Sequence, residues 1–353
     1  MISHGHENTE EAIRQLTICN ACRYCEGFCA VWDAIEMREK ITMQDAYYLS
    51  NLCHDCRDCY SVCPYNDPHP FKLNIPQVME KVRLESYVEH TFPKFMRKAF
   101  DHPAIYSTAT AILITSFSLL FAYYTGGLSA FTSGRLGEII PPDVYRYITI
   151  FLYSYTVVLW STEGYLYWKA IGGTKNSGWH LGLLRAISDV LLHRNFAGGG
   201  TGCNYPSTES GYSRLAFHSM TFFGFIIALI ASAFYPAFNG YVLYVYVTSS
   251  AFLFLGSLWL FLSHAFERPK LSTSNMLKLD MPFTVLLFLS GITGIAFALL
   301  PSGLGRSLTF LIHDGLIASV FILAPFSKFI HPVFRFLSLV KYRDEATWNS
   351  TMP

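Results

Sequence analysis

Polar and apolar residues mix at helical spacing through the first part of the chain. From Ala104 apolar stretches of about 20 residues recur, the length that crosses a hydrocarbon core of about 30 Å. Six spans are predicted, over 104–124, 145–168, 215–235, 242–263, 283–300 and 308–330. Glycine and serine inside them are ordinary for membrane helices. Ahead of them, 31–51 has no glycine or proline and is rich in Ala, Ile, Met, Glu, Lys and Leu, which predicts helix, as does 75–89. Pro64, Pro68, Pro70 and Pro76 make the connection between the two irregular. The expected fold is all-α: an N-terminal α-helical domain over 1–100, a six-helix transmembrane bundle over 101–335 and a tail over 336–353.

The few charges orient this arrangement. Lys94, Arg97 and Lys98 precede the first span, and Lys169, Lys175, Arg185, Arg194 and Arg214 fill the second connection. Arg268, Lys270 and Lys278 fill the fourth, and Arg335, Lys341 and Arg343 follow the last span. The other three connections hold only Arg135 and Arg306, with Arg146 at a span's edge. By the positive-inside rule both termini are cytoplasmic. The composition fits a membrane protein: 52% hydrophobic, 16% aromatic and only 14% charged, against about 25% charge in an average soluble chain. The net charge is +1 with no basic stripe, so nucleic acid is not an expected partner. Met1 to Gln15 is polar and lacks the apolar core of a secretory signal.

The polar domain carries one cysteine pattern twice. Cys19, Cys22, Cys25 and Cys29, then Cys53, Cys56, Cys59 and Cys63 followed by Pro64, each read C-x2-C-x2-C-x3-C. That is the spacing of a protein with two [4Fe–4S] clusters, in which the fourth cysteine of each run serves the other cluster. The expected sets are therefore Cys19, Cys22, Cys25 and Cys63, and Cys53, Cys56, Cys59 and Cys29. Zinc would need cysteines two plus two, whereas each run supplies a third and a fourth. Thiols packed this densely cannot all meet disulfide geometry, and a reducing location follows. Arg23 and Arg57 follow the second cysteine of each run. A cation there would raise a cluster's potential, but ordinary solvated arginines are the expected reading. Because 31–51 reads as helix where a small ferredoxin has strands, the domain is expected to be a helical, ferredoxin-like two-cluster unit.

Histidines in membrane segments are functional candidates by default. His313 and His331 fall in the last predicted span eighteen residues apart, five whole helical turns, so both should project from one face about 27 Å apart, one near each surface. His218 starts the third span and His264 ends the fourth, at the depth of His331. Two imidazoles from different helices can hold a b-type haem, with His218 and His331 the preferred pair and His264 in reserve. A second haem at His313 lacks an obvious partner, its neighbours being Tyr235, Asn239 or water.

Both cysteine runs, a connection reading Gly198-Gly199-Gly200-Thr201-Gly202-Cys203, then Arg214-Leu215-Ala216-Phe217-His218 entering a span with Phe223-Gly224-Phe225, and a last helix ending Lys328-Phe329-Ile330-His331, together resemble the tricarballylate/citrate-utilisation protein B family. The resemblance covers most of the chain. It implies a bacterial inner-membrane partner of a soluble FAD-containing tricarballylate dehydrogenase, one that reoxidises the flavin and passes electrons to the respiratory chain. It also implies that the eight cysteines hold clusters and that His218, His313 and His331 match the family's membrane histidines. Ser219 stands where the family often has a second histidine. The last helix is also similar to that of nitrate reductase gamma-type cytochromes.

What is missing shapes the expected function. No strand–glycine–helix fingerprint of a flavin or nicotinamide fold is present, and Gly198 to Gly202 is no phosphate loop. Substrate chemistry is therefore expected on another polypeptide, with this chain carrying electrons from flavin through clusters and haem to quinone. A membrane arm of a different redox complex, heterodisulfide- or sulfite-reductase-like, would use the same cofactors. A transporter or redox sensor would need polar groups midway along the spans, and few charges are found there.

Overall fold

The computed structural model describes residues 7–173, 179–194, 196, 211–234, 240–266 and 273–351, so Cys203 and its glycine-rich connection, Tyr235 and Asn239 lie outside it. The described residues contain helices and no β-strand. The polar domain holds α1 (Glu7–Cys22), α2 (Ala30–Glu36), α3 (Met43–Leu52), α4 (Asp58–Ser61) and α5 (Ile75–His90), with α6 (Lys98–Asp101) leading to the bundle. There follow α7 (Pro103–Ser133), α8 (Leu136–Ile139), α9 (Pro142–Ala170), α10 (Trp179–Leu191), α11 (Ser213–Ser232), α12 (Gly240–Ala265), α13 (Ser274–Leu299), α14 (Leu304–Leu323) and α15 (His331–Thr351).

Local chemistry sets these boundaries. The helix expected over 31–51 divides into α2 and α3, because Thr42 and Asp45 form a reciprocal capping box that starts α3 afresh. Asn74 caps α5 by accepting from the Gln77 N–H at 3.2 Å, with Pro76 pre-set for the first turn. Within α7, Gly127 takes φ 64°, ψ −176°, a conformation that breaks the helix and that only glycine adopts without strain.

Among the described residues five helices are long and apolar enough to cross a membrane: Pro103–Ser133, Ser213–Ser232, Gly240–Ala265, Asn275–Leu299 and Leu304–Phe326. The sixth expected span is a 29-residue helix, α9, whose many tyrosines, threonines and Glu163 keep it below that level of hydropathy. It lies against α14 instead, with Thr156 and Tyr155 donating to the carbonyls of Phe321 and Ile322 at 3.1 and 3.2 Å.

The last predicted span is not one helix. After Leu323 the chain makes two short 3₁₀ turns, Ala324–Phe326 and Lys328–Ile330, with Ser327 extended between them at φ −138°. Pro325 has no N–H to continue α14. His331 therefore opens a separate helix, and His313 and His331 share no helical face. His313 lies about 14 Å along α14 from its start at 1.5 Å per residue, near the middle rather than at a surface. The residues expected as a tail form most of α15. Leu339, Val340 and Tyr342 join a single core with Leu16, Ile35, Tyr48, Leu52, Met79 and Val82 of the polar domain and Tyr167 of α9.

Candidate functional site

The two cysteine runs meet at one end of the bundle. The first leaves the end of α1 and the second leaves α3, and loops with left-handed residues at Arg23, Gly27, Asp55 and Arg57 let each chain double back between its cysteines. Cys63 lies close enough to Cys19 and Cys25 to act on both electrostatically, and Cys29 acts likewise on Cys56 and Cys59. Burial pushes the Cys25 and Cys29 thiols up to about 12, neighbouring thiols adding to the effect, and burial raises Cys19, Cys53, Cys56 and Cys59 as well. Protonated thiols crowded out of water are a poor resting state that cationic iron would relieve, since a metal takes the place of the protons. Among the described residues no three Cys, His, Asp or Glu side chains converge on a single-ion site. A four-iron cube asks for something else, one sulfur on each of four irons.

Polar groups line the second run. The Asp55 N–H donates to Cys53 Sγ at 3.3 Å. Arg83 donates to the carbonyls of Ser50 and Cys53 at 2.8 and 2.7 Å. Arg57, expected as a solvated side chain, is 2% exposed and lies 3.5 Å from Asp55 and 3.9 Å from Glu80. Arg23 is exposed, as expected.

The same loop is held by the helices that carry the candidate histidines. Arg214, one turn before His218, donates to the carbonyls of His54 and Asp55 at 3.0 and 2.7 Å. Arg335, one turn after His331, donates to the carbonyls of Asn51 and Cys53 and meets His54 Nδ1 at 3.0 Å. Ring contacts then continue inward, His54 to Phe196 at 5.6 Å between centroids and Phe196 to His218 at 4.7 Å. Burial and the nearby Arg335 and Arg214 guanidinium groups hold His54 neutral, well below the usual histidine range.

His218 and His331 lie within electrostatic reach of each other. His331 Nδ1 meets the Lys328 carbonyl at 2.7 Å, which requires the proton on Nδ1 and leaves the Nε2 lone pair free. Burial, with Lys328 and Arg335 nearby, keeps the ring neutral at a pKa of about 3. His218 Nδ1 meets His193 Nε2 at 3.2 Å, and with the ring proton on that Nδ1 its Nε2 lone pair is free as well. Two neutral imidazoles with Nδ1 fixed and Nε2 free could hold a haem iron. His264, the reserve ligand, has its Nε2 3.8 Å from Asp280, whose other oxygen pairs with Lys328 at 2.7 Å.

His313 makes different contacts. Its Nδ1 meets the Ser290 carbonyl at 3.0 Å and Thr293 Oγ1 at 3.2 Å, and its Nε2 meets the Tyr246 hydroxyl at 2.9 Å. Next to it Asp314 lines a cleft between α9, α11, α12, α13 and α14. An ionised acid at mid-span costs about 3 kcal/mol.

Sequence reasoning passed over His54, His193 and Asp314. His54 lies between two cysteines of a run and Asp314 interrupts an apolar stretch, signals that were available; His193 had none, since only the fold brings it to His218.

A helical domain with two four-cysteine runs, seated on a bundle with five apolar helices of spanning length, defines a membrane protein of the iron–sulfur class. Family comparison makes the class particular. Residues 12–89 match the model described as citrate utilization protein B Fer4-like domain, and residues 104–351 match that of citrate utilization protein B. The chain belongs to the citrate utilization protein B family. It is 29% identical over 363 aligned residues to citrate utilization protein B of Escherichia coli, an alignment covering 96% of this chain and 93% of that protein. No solved structure matches the chain.

Proposed function

We propose that the chain carries electrons from the reduced FAD of a soluble tricarballylate or citrate-related dehydrogenase to the quinone pool. Two [4Fe–4S] clusters would be held by Cys19, Cys22, Cys25 and Cys63 and by Cys53, Cys56, Cys59 and Cys29, and a b-type haem by His218 and His331. When bound, these groups supply centres that take one electron at a time, as emptying a two-electron flavin requires. The cluster domain would face the cytoplasm of a bacterium, with α9 as the sixth span and the termini on one side, as the placement of Lys and Arg directs.

The observation that carries this reading is the join between the two halves. Arg214 and Arg335 grip the Cys53–Cys56 loop from the very helices that present His218 and His331, and His54 and Phe196 fill the gap in ring-to-ring contact. A cluster loop that only stabilised a fold would not need to be tied one turn from a pair of Nε2 lone pairs.

The test is a reduced-minus-oxidised visible spectrum of the detergent-purified chain with iron and pyridine-haemochrome assays. Expected are about eight non-haem irons per chain, with sharp b-type bands that disappear in His218→Ala and His331→Ala while the iron count stays. Eight irons without b-type bands would remove the histidine pair from the route.

A further inference from the structure

Asp314 stands at the eleventh position of the 20-residue helix α14, midway along a span, and among the described residues it makes no hydrogen bond or ion pair. It lines a cleft whose other polar groups include Tyr153, Ser232, Tyr246, Ser250 and His313, and whose apolar wall includes Phe310. An acid kept there without a partner needs a reason.

His313 beside it has a fixed role. A carbonyl can only accept, so the Ser290 contact puts the ring proton on Nδ1, and Nε2 must accept the Tyr246 O–H. Both ring nitrogens are then satisfied, and what His313 does is aim the Tyr246 hydroxyl. Gly294 lets this group assemble: a Cβ there would lie 3.0 Å from the Tyr246 hydroxyl, 3.2 Å from the His313 ring and 3.2 Å from Ser250 Oγ.

We propose that this cleft binds the ring of a lipid-soluble quinone and that Asp314 is its proton donor. The proposal rests on the electron-transfer reading above and names its exit. A flat ring with two carbonyl oxygens suits a cleft with aromatic walls and one acid, whereas a lipid tail would have no use for an acid. Conversion of quinone to quinol consumes two electrons and two protons. At each step one electron arrives from the reduced clusters, the Asp314 O–H bond breaks and an O–H bond forms on a quinone oxygen. Water returns a proton to the carboxylate before the second step.

The experiment uses the whole chain in lipid nanodiscs, its clusters reduced with dithionite, and follows recovery of iron–sulfur absorbance after adding either decylubiquinone or menadione, or ferricyanide. Expected is a loss of about 100-fold in the quinone-driven rate for Asp314→Asn, partial recovery in Asp314→Glu, and an unchanged ferricyanide rate in both. Ala228→Leu, which enlarges a side chain that lines the cleft and leaves the acid in place, should also slow quinone alone. Equal quinone rates for wild type and Asp314→Asn overturn the site while leaving the electron-transfer reading standing. A wild type reoxidised by ferricyanide but by neither quinone overturns the quinone acceptor itself, and the site with it.

Discussion

His90 shows how a single side chain can record the seating of one half on the other. It ends α5, is 6% exposed, and its ring stands edge-on to Tyr47, Tyr167 and Phe334 at centroid distances of 5.7, 5.6 and 6.0 Å, contacts that draw on α3, α9 and α15 at once. Burial holds its pKa below the ordinary value. The folded state thus binds fewer protons than the unfolded chain, so the stability His90 contributes is complete above about pH 6.5 and is lost as pH falls below that value. Melting curves of the wild type should drop in midpoint between about pH 7 and pH 5, and His90→Phe should flatten that drop. An unchanged slope would mean that protonation elsewhere dominates. Arg57 makes the complementary case. Its guanidinium is enclosed near Asp55 and Glu80, and Arg57→Ala should cost about 3 kcal/mol in denaturant unfolding by removing the buried positive charge that faces the two carboxylates. The cysteine runs were legible in sequence because ligand spacing along the chain is itself the signal. The burial of Arg57 and the pairing of His193 with His218 were not, since both arise only when distant segments meet.

At the scale of elements, apolar content predicts helix well and helix continuity poorly. The stretch 308–330 reads as one span because its residues are apolar throughout, yet Pro325 and the extended Ser327 divide it. Hydropathy averages over a window and cannot register one missing N–H. The break matters to the site because it frees the Lys328 carbonyl to hold His331 Nδ1. Lys328 in turn is fixed by Asp280, 2.7 Å away on α13, beside His264. Asp280→Asn removes the charge that Lys328 faces without changing the shape of the side chain. The expected result is a melting point lower by several degrees, and a b-type signal weaker or broader than in wild type while iron content holds, because the turn that orients His331 loosens. A signal identical in shape and amount would separate the turn from the ligand. The α9 helix teaches the same lesson from the other side: tyrosine lowers its mean hydropathy, yet the Tyr155 hydroxyl is spent on the Ile322 carbonyl of α14 and that of Tyr167 on Ser338 of α15.

Taken as a whole, the molecule is joined by its C-terminal helix. From α15, Glu345 pairs with Arg38 at 2.9 Å, Tyr342 donates to Asp33 at 2.8 Å, Arg343 grips Asp189 of α10 and Arg335 reaches the second cysteine loop. A segment that looked like a tail in sequence is therefore the strut that fixes the distance between the cysteines and the histidines, which electron transfer between them would depend on. Arg335 is the sharpest place to test this, because it touches Cys53 and His54 of the loop and Asn51 at the end of α3. Each hydrogen bond to a charged donor is worth about 1.5–3 kcal/mol. Arg335→Gln keeps a donor but loses the fork, so about 3 kcal/mol of local stability should go, and amides of residues 53–57 should exchange with deuterium about 100-fold faster. Amides of α3 and α5, held by the buried core of the polar domain, should keep their protection. If protection is lost across the whole polar domain instead, Arg335 is a general stabiliser; if none is lost, Arg214 and Arg83 suffice to hold the loop, and the strut acts through Glu345 and Tyr342 alone.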